Sequence, residues 1–305
     1  MITTPTVLIL GAGASMPFGF PSGNDLKNNI CYMLSLPEKD SMLLFNLLKI
    51  GHDKSLINEF AQCLLHSGRT SVDAFLEHNP KFLEIGKFAI AQSLLPSEKT
   101  SKLFSYGDIN WYQYLFNRMA QNFSEFHKNH LSIITFNYDR SIEQYFFIAL
   151  KNAFGVSEQD SFAQLNNIPI IHLYGQLGQL KYFNTTEGIP YGFDMTNYNL
   201  IQKAANGIKI ISEVNPSEKG FFDAYRLLEK AKRIFFIGFG YNRVNLDRLD
   251  LRIIPENAQV IGTRMGLSDQ ETDDTREYFA KKFLRGIQFK LGMDATKFIT
   301  EVPLE

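Results

Sequence analysis

The chain has 305 residues, of which 45% are hydrophobic and 21% are charged, so it can bury a substantial core without a disulfide or a metal. Its 31 Lys and Arg nearly balance its 32 Asp and Glu. This balance offers no global attraction for a polyanion, and we predict no direct binding of nucleic acid. The composition also excludes disordered, collagen-like and coiled-coil chains.

The two cysteines and the N-terminal residues predict the cellular compartment of the protein. Cys31 and Cys63 cannot form a disulfide framework or a four-cysteine zinc site, and we expect two buried thiols. The N-terminus lacks the cationic start and apolar core of a signal peptide, and no stretch approaches the roughly 20 apolar residues of a membrane span. We therefore predict a soluble, cytoplasmic protein that contacts no membrane.

Short, continuously apolar runs predict buried parallel strands, because strands in such a sheet are covered on both faces. In chain order these runs are Val7–Leu10, Ile133–Phe136, Ile168–Leu173, Ile208–Ile211, Ile234–Ile237, Gln259–Ile261 and Ile287–Leu291. Helical patterns lie between several of them, at Ser141–Lys151, Phe221–Lys232 and Asp269–Leu284. The alternation predicts an α/β fold with a Rossmann-like, doubly wound parallel sheet.

The interval between the first two predicted strands is too long for one crossover helix. Apolar residues recur there at helical spacing, over Asn24–Leu36, Met42–Ile50, Ser55–His66, Ser71–Leu95 and Trp111–Phe126. We predict one domain over residues 1–305, with a core at about 1–24 and 130–305 and a helical insertion at about 25–129. No low-complexity linker separates the two parts, so the insertion should pack on the core.

A glycine loop, Gly11-Ala12-Gly13-Ala14-Ser15, directly follows the first predicted strand. Backbone amides in this position can approach a pyrophosphate. Met16 stands where a dehydrogenase fingerprint needs a small residue, and no Gly-Lys-Ser/Thr follows for a phosphate-loop NTPase. We predict phosphate binding, with a glycine turn that holds no ligand as the alternative. The next stretch, Gly19–Gly23, predicts a flexible cover that closes over a ribose.

Five motifs follow one another along nearly the whole chain. They are Gly11–Ser15 with Gly19–Gly23, Ser71–Leu76, Thr135–Asp139, Ile171–Gly175 and Gly238–Gly240. In this order they resemble the sirtuin-like superfamily, and within it the bacterial NAD-hydrolysing branch that acts in antiphage defence. The resemblance implies a hydrolase that cleaves NAD at the nicotinamide–ribose bond and releases ADP-ribose. NAD is then a substrate, and no metal takes part.

The resemblance also implies roles for individual residues. Asn137 would contact the nicotinamide-side ribose and the attacking water, and Asp139 would steady the loop around it. The remaining residues would bind the cofactor's phosphates (Gly11, Ala12, Gly13 and Ser15), its adenosine-side ribose (Gly238, Phe239 and Gly240) and its adenine (Gly262 and Thr263). Asn137 and Asp139 have an alternative role as helix caps, which suits Asp139 better. For Ser71–Leu76 we expect a helix start, capped by Ser71 or Asp73, that packs in the core; contact with the cleft is the alternative.

The sequence departs from the deacylase sirtuins at three places. The cysteine pairs of a zinc ribbon are absent, which argues against zinc and against protein deacylation. Phe136 stands where the deacylases carry Gln, and Tyr174 stands where the family has the histidine that precedes the glycine. His172 lies two residues earlier.

His172 and Tyr174 compete for the role of the base. Residues i and i+2 of an extended strand point to one face, so both side chains should face one cleft. Imidazole titrates near neutral pH, whereas a phenol has a pKa of about 10. We predict His172 as the catalytic base and Tyr174 as a wall or hydrogen-bond donor. The alternative is that His172 is a core histidine.

An unregulated NADase would poison its own cell, so we expect control by assembly. The candidates are homo-oligomerisation and a separately encoded sensor or activator subunit, such as an ATPase, an Argonaute-like protein or a nucleotide-processing enzyme. Two other functions stay open: a non-catalytic module that senses NAD or ADP-ribose, and a zinc-free deacylase or ADP-ribosyl transferase. The sequence does not distinguish NAD from NADP, or hydrolysis from cyclisation.

Overall fold

The structure is a computed structural model that describes residues 1–105, 107, 110–119, 121–215 and 217–304. Its strands form one parallel sheet in the order β3-β2-β1-β4-β5-β6. They are β1 (Thr6–Leu10), β2 (Leu131–Thr135), β3 (Ile170–His172), β4 (Arg233–Ile237), β5 (Gln259–Thr263) and β6 (Gln288–Lys290). This is the strand order of a Rossmann-like, doubly wound sheet, so the predicted fold class is confirmed.

Six of the seven predicted strands coincide with strands of the sheet. The prediction for Ile208–Ile211 is wrong. Ile208 makes only an isolated antiparallel bridge with Gly175, and Ile211 begins a 3-10 turn. The run is apolar because it is buried without being extended, since Ile208 and Ile210 are both fully covered.

Helices fill the interval between β1 and β2, as predicted. They are α1 (Gly23–Ser35), α2 (Met42–Lys49), α3 (Lys54–His66), α4 (Val72–Leu76), α5 (Leu83–Leu94), α6 (Thr100–Leu103) and α7 (Trp111–Met119). The predicted helical stretch 71–95 is divided by a 3-10 turn that begins at Pro80. The stretch 111–126 contains α7 and the start of a 3-10 helix, Phe123–Lys128, and its position 120 lies outside the described residues.

The insertion packs on the core, as predicted. The indole Nε1 of Trp111 on α7 donates to the carbonyl of Ala14 in the glycine loop, at 2.9 Å. The buried apolar side chains of both parts belong to one contiguous cluster. Cys31 is buried in α1, but the expectation for Cys63 is wrong, because it is exposed on α3 beside the buried Leu64. Both thiols are free.

The remaining helices flank the sheet. They are α8 (Ser141–Phe154), α9 (Glu158–Leu165), α10 (Tyr198–Asn206), α11 (Lys219–Leu228), α12 (Arg243–Leu249), α13 (Asp269–Phe283) and α14 (Ala295–Glu301). The three helices predicted here correspond to α8, α11 and α13. Among the residues that the structure describes, no helix combines the length and the apolarity needed to span a membrane.

The register of the three central strands brings three loops to one edge of the sheet. Leu10 at the end of β1 pairs with Thr135 of β2 and with Ile237 of β4. The segments that begin at Gly11, Phe136 and Gly238 therefore leave the sheet side by side. Ligands of doubly wound sheets bind at this carboxyl edge, where the strand order reverses.

Candidate functional site

The glycine loop lies directly against the turn that follows β4. A Cβ on Gly11 would lie 2.6 Å from the carbonyl oxygen of Gly238, and a Cβ on Gly13 would lie 2.8 Å from Gly238 Cα. Gly238 has a φ of +59°, and a Cβ there would lie 2.1 Å from the amide nitrogen of Ala14. Backbone packs directly on backbone here, leaving no room for a Cβ. Glycine is therefore required at these three positions for steric reasons that do not depend on a ligand.

Most amides of the loop are used inside the protein. Gly11 N donates to the carbonyl of Ile237 at 3.1 Å, and Gly13 N donates to that of Gly238 at 3.0 Å. Ala14 N and Ser15 N close a 3-10 turn onto the carbonyls of Gly11 and Ala12. The amide of Ala12 is the first of this turn, a position that no carbonyl within the turn can satisfy. Ala12 is also exposed, which makes its amide available to a phosphate.

A cleft of about 490 Å³, counting the space at its open mouth, lies beside this loop. Three parts of the chain line it: the glycine loop with its extension (Ala12, Ser15, Phe20, Pro21, Ser22 and Gly23), the segment after β2 (Phe136, Asn137, Tyr138 and Asp139) and the insertion (Leu26, Asp73 and Leu94). Among the described residues, no Lys, Arg or His lines this cleft.

Asn137 is held in one orientation. Its Nδ2 donates to the carbonyl of Gly11 at 2.9 Å and to Ser15 Oγ at 3.1 Å. Because the Gly11 oxygen can only accept, it identifies the nitrogen side of the amide. Within the described residues, no hydrogen bond reaches the Oδ1 of Asn137. The side chain thus has a fixed donor side and a free acceptor at the cleft.

Asp139 is buried and holds Ser15, one of the two hydrogen-bond partners of the Asn137 amide nitrogen. The Ser15 hydroxyl donates to Asp139 Oδ2 at 2.7 Å, and the amide and the hydroxyl of Ser141 both donate to Oδ1. Burial raises the pKa of Asp139, while these donors lower it. Asp139 therefore joins the first turn of α8 to the glycine loop. Ser15, 3% exposed, serves this connection too.

His172 has no free ring nitrogen. Nδ1 lies 2.9 Å from the carbonyl oxygen of Asn137, and Nε2 lies 2.7 Å from Glu143 Oε1 on α8. Burial disfavours the charged ring, but the Glu143 carboxylate and the Asn137 carbonyl outweigh this effect and raise the pKa of His172. Both neighbours accept hydrogen bonds, so the protonated imidazolium fits this place best. Such a ring has no lone pair with which to take a proton from a substrate.

The common face expected for His172 and Tyr174 is wrong. The strand ends at His172, so its alternation does not extend to Tyr174. The Tyr174 hydroxyl donates to Asn245 Oδ1 on α12 at 2.8 Å, and its ring contacts Phe136 edge to face. Burial is the main cause that raises its pKa to about 12. Tyr174 therefore supports a wall residue of the cleft, and neither it nor His172 lines the cleft itself.

The residues predicted to contact the adenosine-side ribose form the turn after β4, directly beside the glycine loop. Phe239 is buried against Phe136, whereas Gly240 is exposed and lines a second cavity of about 550 Å³. The cavity is also lined by Tyr241, Arg243, Leu246, Leu267, Glu271, Asp274, Thr275 and Tyr278. Adenosine binding at Gly238, Phe239 and Gly240 stays a prediction.

Gly262 and Thr263 have partners inside the protein. A Cβ on Gly262 would lie 2.0 Å from the hydroxyl oxygen of Tyr241, whose hydroxyl donates to the Thr263 carbonyl at 2.8 Å. The Thr263 hydroxyl oxygen accepts from Gly238 N at 2.8 Å. These two residues thus shape the turn after β4 from within, and their predicted contact with adenine stays a prediction.

Sequence reasoning kept contact of Ser71–Leu76 with the cleft only as an alternative and did not assign Asp73 to the site. We expected Ser71–Leu76 to start a helix that packs in the core, and Ser71 does cap α4 by accepting from Ala74 N. Asp73, however, lines the cleft and accepts a hydrogen bond from the hydroxyl of Tyr138. An acidic residue in the first turn of a helix is common for electrostatic reasons alone, so the local sequence carries no signal of this contact.

It also missed the buried ion pair between Arg140 and Glu98. Arg140 is fully buried and Glu98 is 1% exposed. The guanidinium donates to both carboxylate oxygens of Glu98, and to the carbonyl of Ile189 at 2.9 Å. The pair joins the insertion to the start of α8, one residue after Asp139.

No protein-family model matches the chain, and no curated protein is significantly similar to it. The site must therefore be interpreted from its own chemistry. It offers apolar and aromatic walls, a fixed amide oxygen and the carboxylate of Asp73, without a cationic side chain in the described lining. Such a site favours a ligand part that is flat and positively charged or becomes so.

Proposed function

We propose that this protein is an NAD glycohydrolase that cleaves the nicotinamide–ribose bond and releases nicotinamide and ADP-ribose. One observation carries the proposal. Asn137, the residue that the sirtuin-like resemblance assigns to the nicotinamide-side ribose, is fixed by Gly11 and Ser15 with its Oδ1 free at the cleft. A fixed acceptor in this place suits the orientation of a ribose hydroxyl or a water molecule.

The character of the cleft agrees with the charge changes of this reaction. The nicotinamide ring of NAD is a cation, and it leaves as a neutral molecule while positive charge develops on the ribose. Phe20 and Phe136 offer surfaces for the ring, and Asp73 supplies negative charge near it. A site that stabilises this charge needs no covalent intermediate.

The rest of the dinucleotide would extend along the carboxyl edge of the sheet, where ligands of doubly wound sheets bind. The Ala12 amide, at the first position of its turn, can donate to a phosphate. The cavity at Gly240 offers the carboxylates of Glu271 and Asp274 and the guanidinium of Arg243. We propose that the pyrophosphate lies at the glycine loop and the adenosine at the cavity beside Gly240.

The direct test is nicotinamide release from NAD, with NADP as a parallel substrate. Wild-type protein and Asn137→Ala are compared over a wide range of protein concentration, because we also propose that homo-oligomerisation or a separately encoded subunit activates the chain. Mass analysis of the product separates ADP-ribose from its cyclic form. Equal rates for the two proteins would refute the assignment of Asn137. The antiviral role stays a prediction of the resemblance alone.

A second candidate is a module that senses NAD or ADP-ribose without turnover. It is favoured by His172, because both nitrogens of the predicted base are engaged with Asn137 and Glu143. A sensor binds NAD, as measured by calorimetry, but releases no nicotinamide in any assembly state. A hydrolase binds NAD and consumes it.

A further inference from the structure

We propose that Asp73, a residue of the helical insertion, is the catalytic proton acceptor of the cleft. This inference rests on the proposed NAD glycohydrolase function and names the residue that would perform its proton transfer. The candidates for a catalytic base are the titratable groups at the carboxyl edge of β1, β2 and β3. His172 and Tyr174 do not line the cleft, and His172 has no free nitrogen.

The two carboxylates of the cleft differ in what surrounds them. Both oxygens of Asp139 are occupied, Oδ2 by Ser15 and Oδ1 by Ser141. Asp73 accepts from the Tyr138 hydroxyl through Oδ1, and no side chain among the described residues hydrogen-bonds its Oδ2. Asp73 is only partly buried, and its Oδ2 is not among the buried polar atoms that lack a partner. Because Asp73 lines the cleft, we infer that this oxygen faces its open space.

The environment of Asp73 increases the proton affinity of its carboxylate. Burial raises the pKa of its carboxyl group, and the hydrogen bond from Tyr138 lowers it. A catalytic carboxylate gains proton affinity when its pKa rises toward the working pH. Tyr138 remains a donor, because burial and the neighbouring Asp73 raise its own pKa well above 10. Tyr138 is thus a positioning residue that holds Oδ1 and leaves Oδ2 to the substrate.

The proposed step balances. A water oxygen forms a bond to C1′ of the nicotinamide-side ribose while the bond from C1′ to the ring nitrogen breaks. The electron pair of that bond goes to the nicotinamide nitrogen, which becomes neutral. One proton of the water passes to Asp73 Oδ2 and is later released to solvent. Asn137 Oδ1 accepts a hydrogen bond from the water or the ribose and orients it. The products are nicotinamide, ADP-ribose and one proton.

The test compares Asp73→Asn with the wild type in nicotinamide release. Asparagine keeps an oxygen for the Tyr138 hydroxyl but removes the proton acceptor. We expect kcat to fall by about 100- to 10,000-fold, the usual contribution of general-base catalysis, with a smaller change in KM. Glu59→Gln is the matched control, since Glu59 is a half-exposed carboxylate on α3 of the same insertion. It should retain wild-type kcat.

The pH profile separates a catalytic role from a structural one. A base must be deprotonated, so the wild-type kcat should fall as the pH drops through the pKa of Asp73. Tyr138→Phe removes the hydrogen bond that lowers this pKa, so the acidic limb should move to higher pH. Asp73→Asn should lose the limb. Circular dichroism checks that each variant is folded.

The outcomes distinguish the two proposals. If the wild type is active, and if Asp73→Asn keeps more than half of the wild-type kcat with the acidic limb of its pH profile unchanged, the role of Asp73 is overturned. The hydrolase function then still stands. A wild-type protein that releases no nicotinamide in any assembly state would overturn the hydrolase function, and the base with it.

Discussion

The cleft beside Asn137 and a buried polar cluster are built from the same short segment, residues 137–143, but they use its polar atoms differently. We define the buried polar cluster as Arg140 with Glu98 and His172 with Glu143. In the cleft, Asn137 keeps an acceptor free. In the cluster, the guanidinium of Arg140 and both nitrogens of His172 are engaged.

This difference shows that a polar residue near a candidate site need not belong to its chemistry. The cluster connects α8 to β3 and to the insertion, and so holds the loop that presents Asn137. Buried charges serve this purpose when they are paired, because breaking one pair leaves the other charge uncompensated. The two regions should therefore respond differently to substitution: the cluster in stability, and the cleft in turnover.

The largest effect is expected at the Arg140–Glu98 pair. Glu98→Gln leaves the fully buried guanidinium without its counter-charge, which should lower the free energy of unfolding by about 3–5 kcal/mol. Urea unfolding measures this loss. The double variant Glu98→Leu with Arg140→Met should recover much of it, because it removes both charges. A loss below about 1 kcal/mol in Glu98→Gln would mean that the pair does not hold the insertion.

Asn137→Ala should act on turnover. We expect nicotinamide release to fall by about 100- to 1,000-fold, equivalent to about 3–4 kcal/mol of transition-state stabilisation. The free energy of unfolding should change by only about 1 kcal/mol, the value of a lost hydrogen bond. Asn152→Ala on the exposed side of α8 is a matched control that should keep full activity. A large stability loss with unchanged turnover would place Asn137 with the structural residues.

His172→Gln should show the opposite pattern, with turnover largely retained. Glu143 Oε2 is already buried without a partner within the described residues, so losing the imidazolium should lower the free energy of unfolding by about 2 kcal/mol. The folded-state pKa of His172 is raised, so the pair's contribution is complete below the ordinary value of about 6.5 and is lost as the pH rises through the raised pKa.

Unfolding at several pH values from 6 to 9 tests the His172 prediction. The stability difference between the wild type and His172→Gln should shrink as the pH rises. A difference that stays constant over this range would argue against the imidazolium. Loss of turnover by several orders of magnitude in a folded His172→Gln protein would restore His172 as the base.

An effect of similar size is expected at Gly262→Ala, which tests whether this glycine makes room for Tyr241. The added Cβ would meet the Tyr241 hydroxyl, and the overpacking should cost about 1–3 kcal/mol. Tyr241→Phe removes that hydroxyl, so the double variant should be more stable than the two single losses together imply. Additive losses with weaker NAD binding would instead favour the predicted contact with adenine.

Several features were predictable because they depend on local pattern. Strands covered on both faces are apolar throughout, so β1, β2 and β4 could be located from the sequence. Asn137 was singled out by the resemblance of Thr135–Asp139 to a sirtuin-like motif, whereas its place between a strand and a helix alone also allowed a capping role. The glycines of Gly11–Ser15 were placed correctly, but a phosphate and a neighbouring backbone both require glycine. Only the contact with Gly238 shows the second reason.

Other features depended on partners that are distant along the chain. Whether His172 has a free nitrogen depends on Glu143, which lies on another element 29 residues away. The partner of Asp73 in the cleft is Tyr138, 65 residues later in the chain. The side chain of Tyr174 turned toward α12 because β3 stops two residues earlier.

The amino-acid sequence by itself determined the sheet, its helical insertion and the position of Asn137, because burial periodicity and strand ends leave local marks. The tertiary structure decided which polar atoms are free, because a hydrogen bond between remote segments leaves no mark in either one. In this protein, His172, the predicted base, is a buried partner of Glu143, and Asp73 of the insertion lines the cleft.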